Sequence, residues 1–363
     1  MSFSMAKYEC NVNMNKTILI TGGAGLVGSA NAHWILENTD DMVICVDNMS
    51  GGLLENLPDK SDRFVFYNAS VENNILDAIF NRYKPTHVMG FAAYAAECLS
   101  PFIRKFNITN NMLAMANLVN CCINYDVKRI LFTSSVAVYG HGSFKPPFYE
   151  DLQPSPVDPY GVAKYAVEMD LKIAEEQHGL DYVILRPHNI FSGEINTKYN
   201  KTGYGQVYND RYRNFLAILM YKHLRGEKLT IFGDGLQKRA FSYIGDSLPC
   251  FYRALTAPQC SKQIINLGGI HENTILEAAN TVIDVMGGGE LIHLEPRHEV
   301  KNAYPSYDKS VELLGFEHKT NLYDGVKKMW DWVKRDYELY DRKPLTFNSY
   351  EVDKGMYSYW KNK

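Results

Sequence analysis

The run Thr17-Ile-Leu-Ile20 breaks directly into Thr21-Gly22-Gly23-Ala24-Gly25-Leu26-Val27-Gly28, and a helical pattern continues from there to about Glu37. A β-rich run that turns through glycines and restarts as a helix limits what the chain can build. Glycine lets the backbone turn tightly and lets helix and strand approach closely, while the first N–H groups of the helix stay unpaired. Such a helix start is a site for an anion, and suits the pyrophosphate of a dinucleotide. Gly22, Gly25 and Gly28 stand three apart, a GxxGxxG pattern, which also serves plain turns. Context decides: the next run, Met42–Val46, ends in Asp47, about twenty residues past the turn. A carboxylate there accepts bonds from an adenosine ribose and repels a 2′-phosphate, which favours NAD over NADP.

Short apolar runs recur at 64–66, 86–89, 129–132 and 182–185, separated by helical patterns near 72–83, 101–125 and 159–178. Repeated strand–helix units of this length mean a parallel sheet covered on both faces. The alternation stops after Arg186-Pro187. Residues 192–207 have no period and read as an irregular insertion; a helix near 211–225, the run Leu229–Phe232 and a turn at Gly233–Gly235 follow. The expected fold is α/β, a Rossmann-type doubly wound parallel sheet with a smaller α+β substrate-binding domain. The expected boundaries are an N-terminal extension 1–15, a dinucleotide domain 16–186, a second domain mainly 187–321 with 243–268 returning to the first, and an aromatic C-terminal helix and tail 322–363. Trp330, Trp332, Tyr337, Phe347, Tyr350, Tyr357, Tyr359 and Trp360 in that tail argue that it docks on the body or on a second subunit.

A chain of 363 residues can bury a large core, and 46% hydrophobic with 22% charged residues excludes disorder. A net charge of −3 leaves no broad basic field for nucleic acid or an anionic membrane surface. No apolar run approaches the ~18 residues of a membrane span, and the segment Met1–Cys10 lacks the apolar stretch of a signal peptide. The 7 cysteines have no CxxC spacing, which points to reduced thiols, no metal site and a cytoplasmic protein.

Tyr160-Gly-Val-Ala-Lys164 opens a helix after Pro154, Pro156 and Pro159, and its i,i+4 spacing puts phenol and ammonium on one face. A free phenol titrates near ~10, so a base working near neutrality needs a shift of roughly three units, about 4 kcal/mol. A lysine cation beside it, helped by a bound nicotinamide cation, supplies that kind of stabilisation. Upstream, Ser135 follows the run Arg129–Phe132, which puts a hydroxyl on the strand edge where such sheets bind ligands. Ser135, Tyr160, Lys164 and the glycine turn form one four-part signal.

The set TGGAGLVG, Asp47-Asn48, Phe91-Ala92-Ala93, Ser134-Ser135 and YGVAK resembles the extended short-chain dehydrogenase/reductase family. Within it, Ala92–Glu97, Arg211–Asn214 and Phe232–Tyr243 resemble the NAD-dependent NDP-sugar epimerase/dehydratase group, most closely the UDP-glucose 4-epimerases, from about Thr17 to about Gly315. The resemblance implies that Gly22, Gly25, Leu26 and Val27 hold the pyrophosphate of NAD, Asp47 and Asn48 the adenosine ribose, and Ser70 and Val71 the adenine. Ser70 stands where the family usually has Asp. Phe91, Ala92, Ala93 and Asn110 would line the nicotinamide side, with Tyr160 and Lys164 bridging cofactor and sugar.

For the substrate, the resemblance implies diphosphate arginines at Arg239 and Arg297, uracil packing at Phe232, and polar contacts at Asn189 and Asn214. The bland readings are surface charge for the arginines and ordinary core for Phe232. Tyr304 would gate against N-acetylated sugars, and Arg211 stands where UDP-glucuronate 4-epimerases pair the sugar carboxylate. Val136-Ala137 replace the acid–base residues by which related dehydratases and decarboxylases are marked. The implied reaction is interconversion of UDP-glucose and UDP-galactose through a 4-keto sugar; alternatives are a UDP-glucuronate 4-epimerase, a net dehydrogenase, or a non-catalytic NAD-binding scaffold. The insertion 192–207 could reshape substrate choice, cap the site, or loop into solvent. The resemblance also implies a homodimer through helices 101–125 and 159–178, where Phe102, Phe106, Met115 and Val119 serve either the interface or the subunit's own core.

Overall fold

Strand β1 (Thr17–Thr21) is β-branched and apolar, and its Ile18, Leu19 and Ile20 are fully buried. Burial on both faces is what a central parallel strand requires. The structure, a computed structural model, describes residues 16–140, 146–297, 299–340, 342–345, 347 and 350–361, so the expected extension 1–15 lies outside it. After β1 come α1 (Leu26–Asn38), β2 (Met42–Asp47), β3 (Phe64–Asn68), α2 (Ile75–Tyr83) and β4 (His87–Gly90). Helices α3 (Arg104–Ile108) and α4 (Ala114–Asn124) are joined by a π-helical turn, Thr109–Leu113. β5 (Arg129–Thr133), α5 (Pro159–His178) and β6 (Tyr182–Pro187) complete the alternation.

The sheet has 7 strands, in the order Gln263–Leu267, β6, β5, β4, β1, β2, β3, and every pairing is parallel. Ile18, Ile20, Val43 and Cys45 face α1 and the helix Ile244–Thr256. Their neighbours Leu19, Ile44, Val46 and Ile130 face α2, α4 and α5 on the other side. The period of two in side-chain direction thus feeds two cores from one set of strands. Strand Gln263–Leu267 pairs with β6 although an irregular region separates them in sequence.

That region builds a third core from the helices Phe215–Leu224, Ile275–Met286 and Leu322–Leu339, around Leu219, Met220, Val282 and Val333. Strand Leu229–Phe232 pairs with Leu291–Leu294, and Lys238–Ala240 lies between Glu272–Thr274 and Asn302–Ala303. The segment 192–207 is not a solvent loop. Gly193–Glu194 pairs with Tyr204–Gly205, the Tyr199 hydroxyl donates to the Leu36 carbonyl at 2.9 Å, and the Asn200 amide donates to the Leu57 carbonyl at 2.8 Å. Its polar residues bond to backbone, which is why no hydrophobic period announced it. A Cβ on Gly205 would stand 2.2 Å from the Trp332 ring, so the hairpin packs directly beneath that indole.

The aromatic tail docks on its own chain. Trp360 is 1% exposed and packs with Phe102, Tyr212 and Met356. Among the described residues, no helix is long and apolar enough to cross a membrane.

Arg186 on β6 and Glu168 on α5 form a pair at 2.6 Å, with side chains 2% and 0% exposed. The Arg186 guanidinium also lies 4.8 Å from the Tyr139 ring centroid. Removing one partner of such a pair leaves an uncompensated buried charge. Glu168→Ala is therefore expected to lose about 3–5 kcal/mol of stability, read from urea unfolding; a loss under about 1 kcal/mol would show that water reaches Arg186.

Candidate functional site

The glycine turn is held by its own sterics. Gly22 has φ +71° and donates its N–H to the Val46 carbonyl at 2.8 Å. A Cβ on Gly28 would fall 2.2 Å from the Gly22 carbonyl oxygen, so α1 can rest on β1 only with glycine there. Gly25 has no comparable obstruction, since the nearest atom to its Cβ would be 3.3 Å away. It begins α1 with no side-chain cap, and the open helix start faces a cavity of about 480 Å³.

Asp47, at the end of β2, accepts from the N–H groups of Met49 at 2.8 Å and Ala24 at 3.0 Å. Burial raises its carboxyl, and these backbone donors pull it back. The Asn48 amide reaches the Ser70 hydroxyl at 3.5 Å. Ser70, Val71, Phe91, Ala92, Ala93 and Asn110 all line the same cavity. Asn110 sits in the π-helical turn, its amide bonded to the Phe106 carbonyl at 2.9 Å. Ser134, at the cavity wall, has a buried hydroxyl with no partner among the described residues. An open helix start, a carboxylate at the adjacent strand end and an unpaired hydroxyl fit a dinucleotide.

The reactive group assembles where β5 ends and α5 begins. Asp158 caps α5 by accepting from Gly161 N–H at 2.9 Å, and Pro159 occupies the first helical position, where its missing N–H costs nothing. This start places Tyr160 and Lys164 in the first turns, 5% and 2% exposed. Ser135 stands beside the Tyr160 phenol and favours its ionisation, and its hydroxyl oxygen accepts from Ala137 N–H at 3.1 Å. The Lys164 ammonium donates to the Thr133 carbonyl at 2.8 Å and lies 5.8 Å from the Tyr160 ring centroid.

Burial pulls Lys164 down to about 7, partly opposed by Glu168. Burial also pushes the Tyr160 phenol well above its ordinary value, and Glu97 adds to this, while Ser135 and Arg213 oppose it. In the protein alone desolvation dominates the phenol; the expected stabilisation joins the lysine to a bound nicotinamide cation.

At the other end of the cavity, Arg239 and Arg297 share the carboxylate of Glu299, at 3.1 Å and 3.4 Å. The Arg297 guanidinium stands 4.4 Å from the Phe232 ring centroid. Asn189 and Asn214 line the wall; the Asn214 side chain is held by the Val207 carbonyl at 2.9 Å and the Gln206 amide at 2.8 Å. Arg211 donates to the Tyr359 carbonyl and lies 5.2 Å from that ring's centroid. One expected residue is misplaced: Tyr304 does not line the cavity. Tyr304 follows the strand Asn302–Ala303, and its carbonyl accepts from Phe148 N–H at 3.0 Å. Residues 192–205 also stay off the wall, and only Gln206 and Val207 from that segment reach it.

Sequence reasoning missed Glu97, Glu299, Tyr359 and Trp360, all of which line the cavity. Glu97 is solvent-accessible within the cavity it lines, and its carboxylate has no hydrogen-bond partner among the described residues. Burial, reinforced by Asp158 and Glu299 and opposed by Arg239 and Arg297, pushes it up to about 7. The signal was a single acid ending the run of small and aromatic residues Ala92–Ala96, just past the sheet edge that binds ligands.

Comparison with known proteins gives a consistent result. A model of the NAD dependent epimerase/dehydratase family matches residues 18–268. The crystal structure of UDP-glucose 4-epimerase from Thermotoga maritima with UDP-glucose has a TM-score of 0.78 and 30% identity, covering 88% of this chain and 99% of that one. UDP-glucuronic acid 4-epimerase from Bacillus cereus, solved with UDP-glucuronic acid and NAD, has a TM-score of 0.75 and 25% identity, covering 89% of this chain and 100% of that one. The UDP-glucuronate 4-epimerase of Thermodesulfobacterium geofontis is 28% identical, over 88% of this chain and 97% of its own.

Glu97 gives a test independent of activity. Its carboxyl titrates at about 7 in the fold against 4.5 for the ordinary group, so it favours the folded state when protonated. That contribution is complete below about pH 4.5 and is lost as pH rises through about 7. Thermal melts of Glu97→Gln should therefore gain on the parent as pH rises from about 5 to about 8. A difference independent of pH would place Glu97 in contact with bulk water.

Proposed function

This chain belongs to the NAD-dependent epimerase/dehydratase family, and we propose that it is a cytoplasmic UDP-sugar 4-epimerase interconverting UDP-glucose and UDP-galactose through a 4-keto sugar. The observation that carries the reading is the placing of Ser135, Tyr160 and Lys164 in the cavity that the glycine turn opens into. A non-catalytic scaffold has no need of a tyrosine and a lysine buried together at that point.

NAD, when bound, supplies a hydride acceptor and then a hydride donor at sugar C4, together with a nicotinamide cation. The N–H groups at the start of α1 hold the pyrophosphate, and the carboxylate of Asp47 holds the ribose hydroxyls with Asn48 beside it. Ser70 and Val71 flank the adenine, while Phe91, Ala92, Ala93 and Asn110 line the nicotinamide side. Tyr160 takes the proton of the 4-hydroxyl and later returns it, with Ser135 holding the same oxygen. Lys164 positions the nicotinamide ribose and keeps positive charge near the phenol. Epimerisation needs the hexose to turn while the nucleotide stays fixed, so the grip falls on Arg239, Arg297 and Phe232, with Asn189 and Asn214 at the wall. Charge-assisted bonds from two arginines suit a diphosphate, which would displace Glu299 from part of their hold.

The likeness to the UDP-glucose 4-epimerase of Thermotoga maritima, 30% identical, supports a neutral hexose. The buried Val136 and Ala137 beside Ser135 support simple hydride removal and return, since neither can act as a second acid–base group.

Incubation of the protein with UDP-galactose, without added NAD, should yield an equilibrium mixture with UDP-glucose by chromatography. Conversion of UDP-glucuronate alone would replace the substrate assignment. Tyr160→Phe should cut turnover by about 10²–10⁴-fold while NAD stays bound, and near-parental turnover would remove Tyr160 from the role of base.

The homodimer is proposed on the face where α4 and α5 lie side by side. Phe102, Met115 and Val119 are 7%, 1% and 3% exposed and belong to the subunit's own core. Exposed instead are Ile108, Met112 and Leu113 beside Val162, Met169 and Ile173, an apolar face that a second copy would cover. Light scattering should give a dimer, and Val162→Asp with Met169→Asp a monomer. A monomeric parent would overturn this assembly.

A further inference from the structure

The segment that closes the arginine end of the cavity comes from beyond residue 268, where the family match ends. After the helix Leu322–Leu339 the chain returns across the body. The Leu345 N–H donates to the Asn209 carbonyl at 2.8 Å. The Glu351 carboxylate accepts from Lys105 N–H at 2.6 Å and Phe106 N–H at 2.9 Å, at the start of α3. Ser358 donates to Glu295 through its N–H at 2.8 Å and its hydroxyl at 2.6 Å. These anchors hold the short helix Ser358–Lys361 against Phe232. The rings of Tyr357, Tyr359 and Trp360 lie 6.2, 6.1 and 6.3 Å from the Phe232 ring, and Arg297 covers one of its faces at 4.4 Å. Tyr359 and Trp360 line the cavity together with Phe232, Arg211 and Arg297.

We propose that the tail is a built-in wall of the nucleoside diphosphate subsite, in which Tyr359 and Trp360 complete with Phe232 an aromatic compartment for the base while the Tyr359 carbonyl positions Arg211. The ligand class follows from the chemistry. A flat heteroaromatic base gains from aromatic surroundings whatever its identity, and arginines at the mouth of that compartment suit the attached diphosphate. A neutral sugar alone would use neither. The proposal rests on the reading of this cavity as a UDP-sugar site.

The test measures binding of UDP alone by calorimetry, NAD content, and the kinetics of UDP-glucose formation. Three variants are compared with the parent: Tyr359→Ala, Trp360→Ala, and Glu295→Ala, which loosens the tail without touching the cavity. The first two should raise the Kd for UDP and the KM for UDP-galactose by about tenfold or more, with kcat within about twofold and NAD retained. Glu295→Ala should shift both constants the same way by less. Unchanged UDP affinity in Tyr359→Ala and Trp360→Ala would make the tail mere packing, and tighter UDP binding would make it an obstruction; either overturns the proposal. A parent that binds UDP but does not epimerise would sink the proposed reaction while leaving the wall tested by UDP affinity. A parent that binds no UDP overturns both.

Discussion

A methyl group on Gly28 would collide with the Gly22 carbonyl at 2.2 Å, and the direct seat of α1 on β1 that follows organises the rest of the site. The contact fixes the start of α1 at the carboxyl edge of the sheet. All strands of the sheet run parallel, so β2 and β5 deliver Asp47 and Ser135 to that same edge. Helix α5, started by Asp158 and Pro159, brings Tyr160 and Lys164 there from the far side of β5. The cavity is therefore the common end of several elements, each placed by a local rule.

Within it, burial works against charge on both reactive groups. Lys164 is drawn down and Tyr160 pushed up, and the Lys164 ammonium bonds to the Thr133 carbonyl and not to the phenol. Glu97 adds negative charge close by, while Arg239 and Arg297 are held together by Glu299. Such a site is electrostatically unfinished at one end and already paired at the other. Ligands that bring a positive ring to the first and a diphosphate to the second complement both.

What could be read from the sequence was what short-range rules govern. The strand–glycine–helix run, the acid at the next strand end, the i,i+4 pair Tyr160 and Lys164, and the hydroxyl after β5 each need only a few neighbouring residues to be recognised, and the structure brings all of them to one cavity. What could not be read depended on contacts between distant residues. Tyr304 stays off the cavity lining because long-range packing after the strand Asn302–Ala303 decides where it sits. Met115 and Val119 could be assigned neither to an interface nor to the subunit's own core, since helical spacing alone does not say which face a neighbouring sheet takes. The hairpin around Tyr199 escaped because polar backbone bonding leaves no period, and the aromatic tail announced its docking without saying where Trp360 would sit.

The thiols carry a different consequence. Cys45, Cys121, Cys122, Cys250 and Cys260 are buried as free thiols, and Cys98, half-buried, lines the cavity itself. Burial lifts Cys98 and Cys121 to about 11 and Cys250 to about 12. At neutral pH Cys98 is therefore held as the thiol, and only the thiolate reacts. Alkylating agents and peroxides therefore meet no ready nucleophile among the described cysteines, and the cavity wall that Cys98 shares stays chemically quiet toward oxidants arriving from outside.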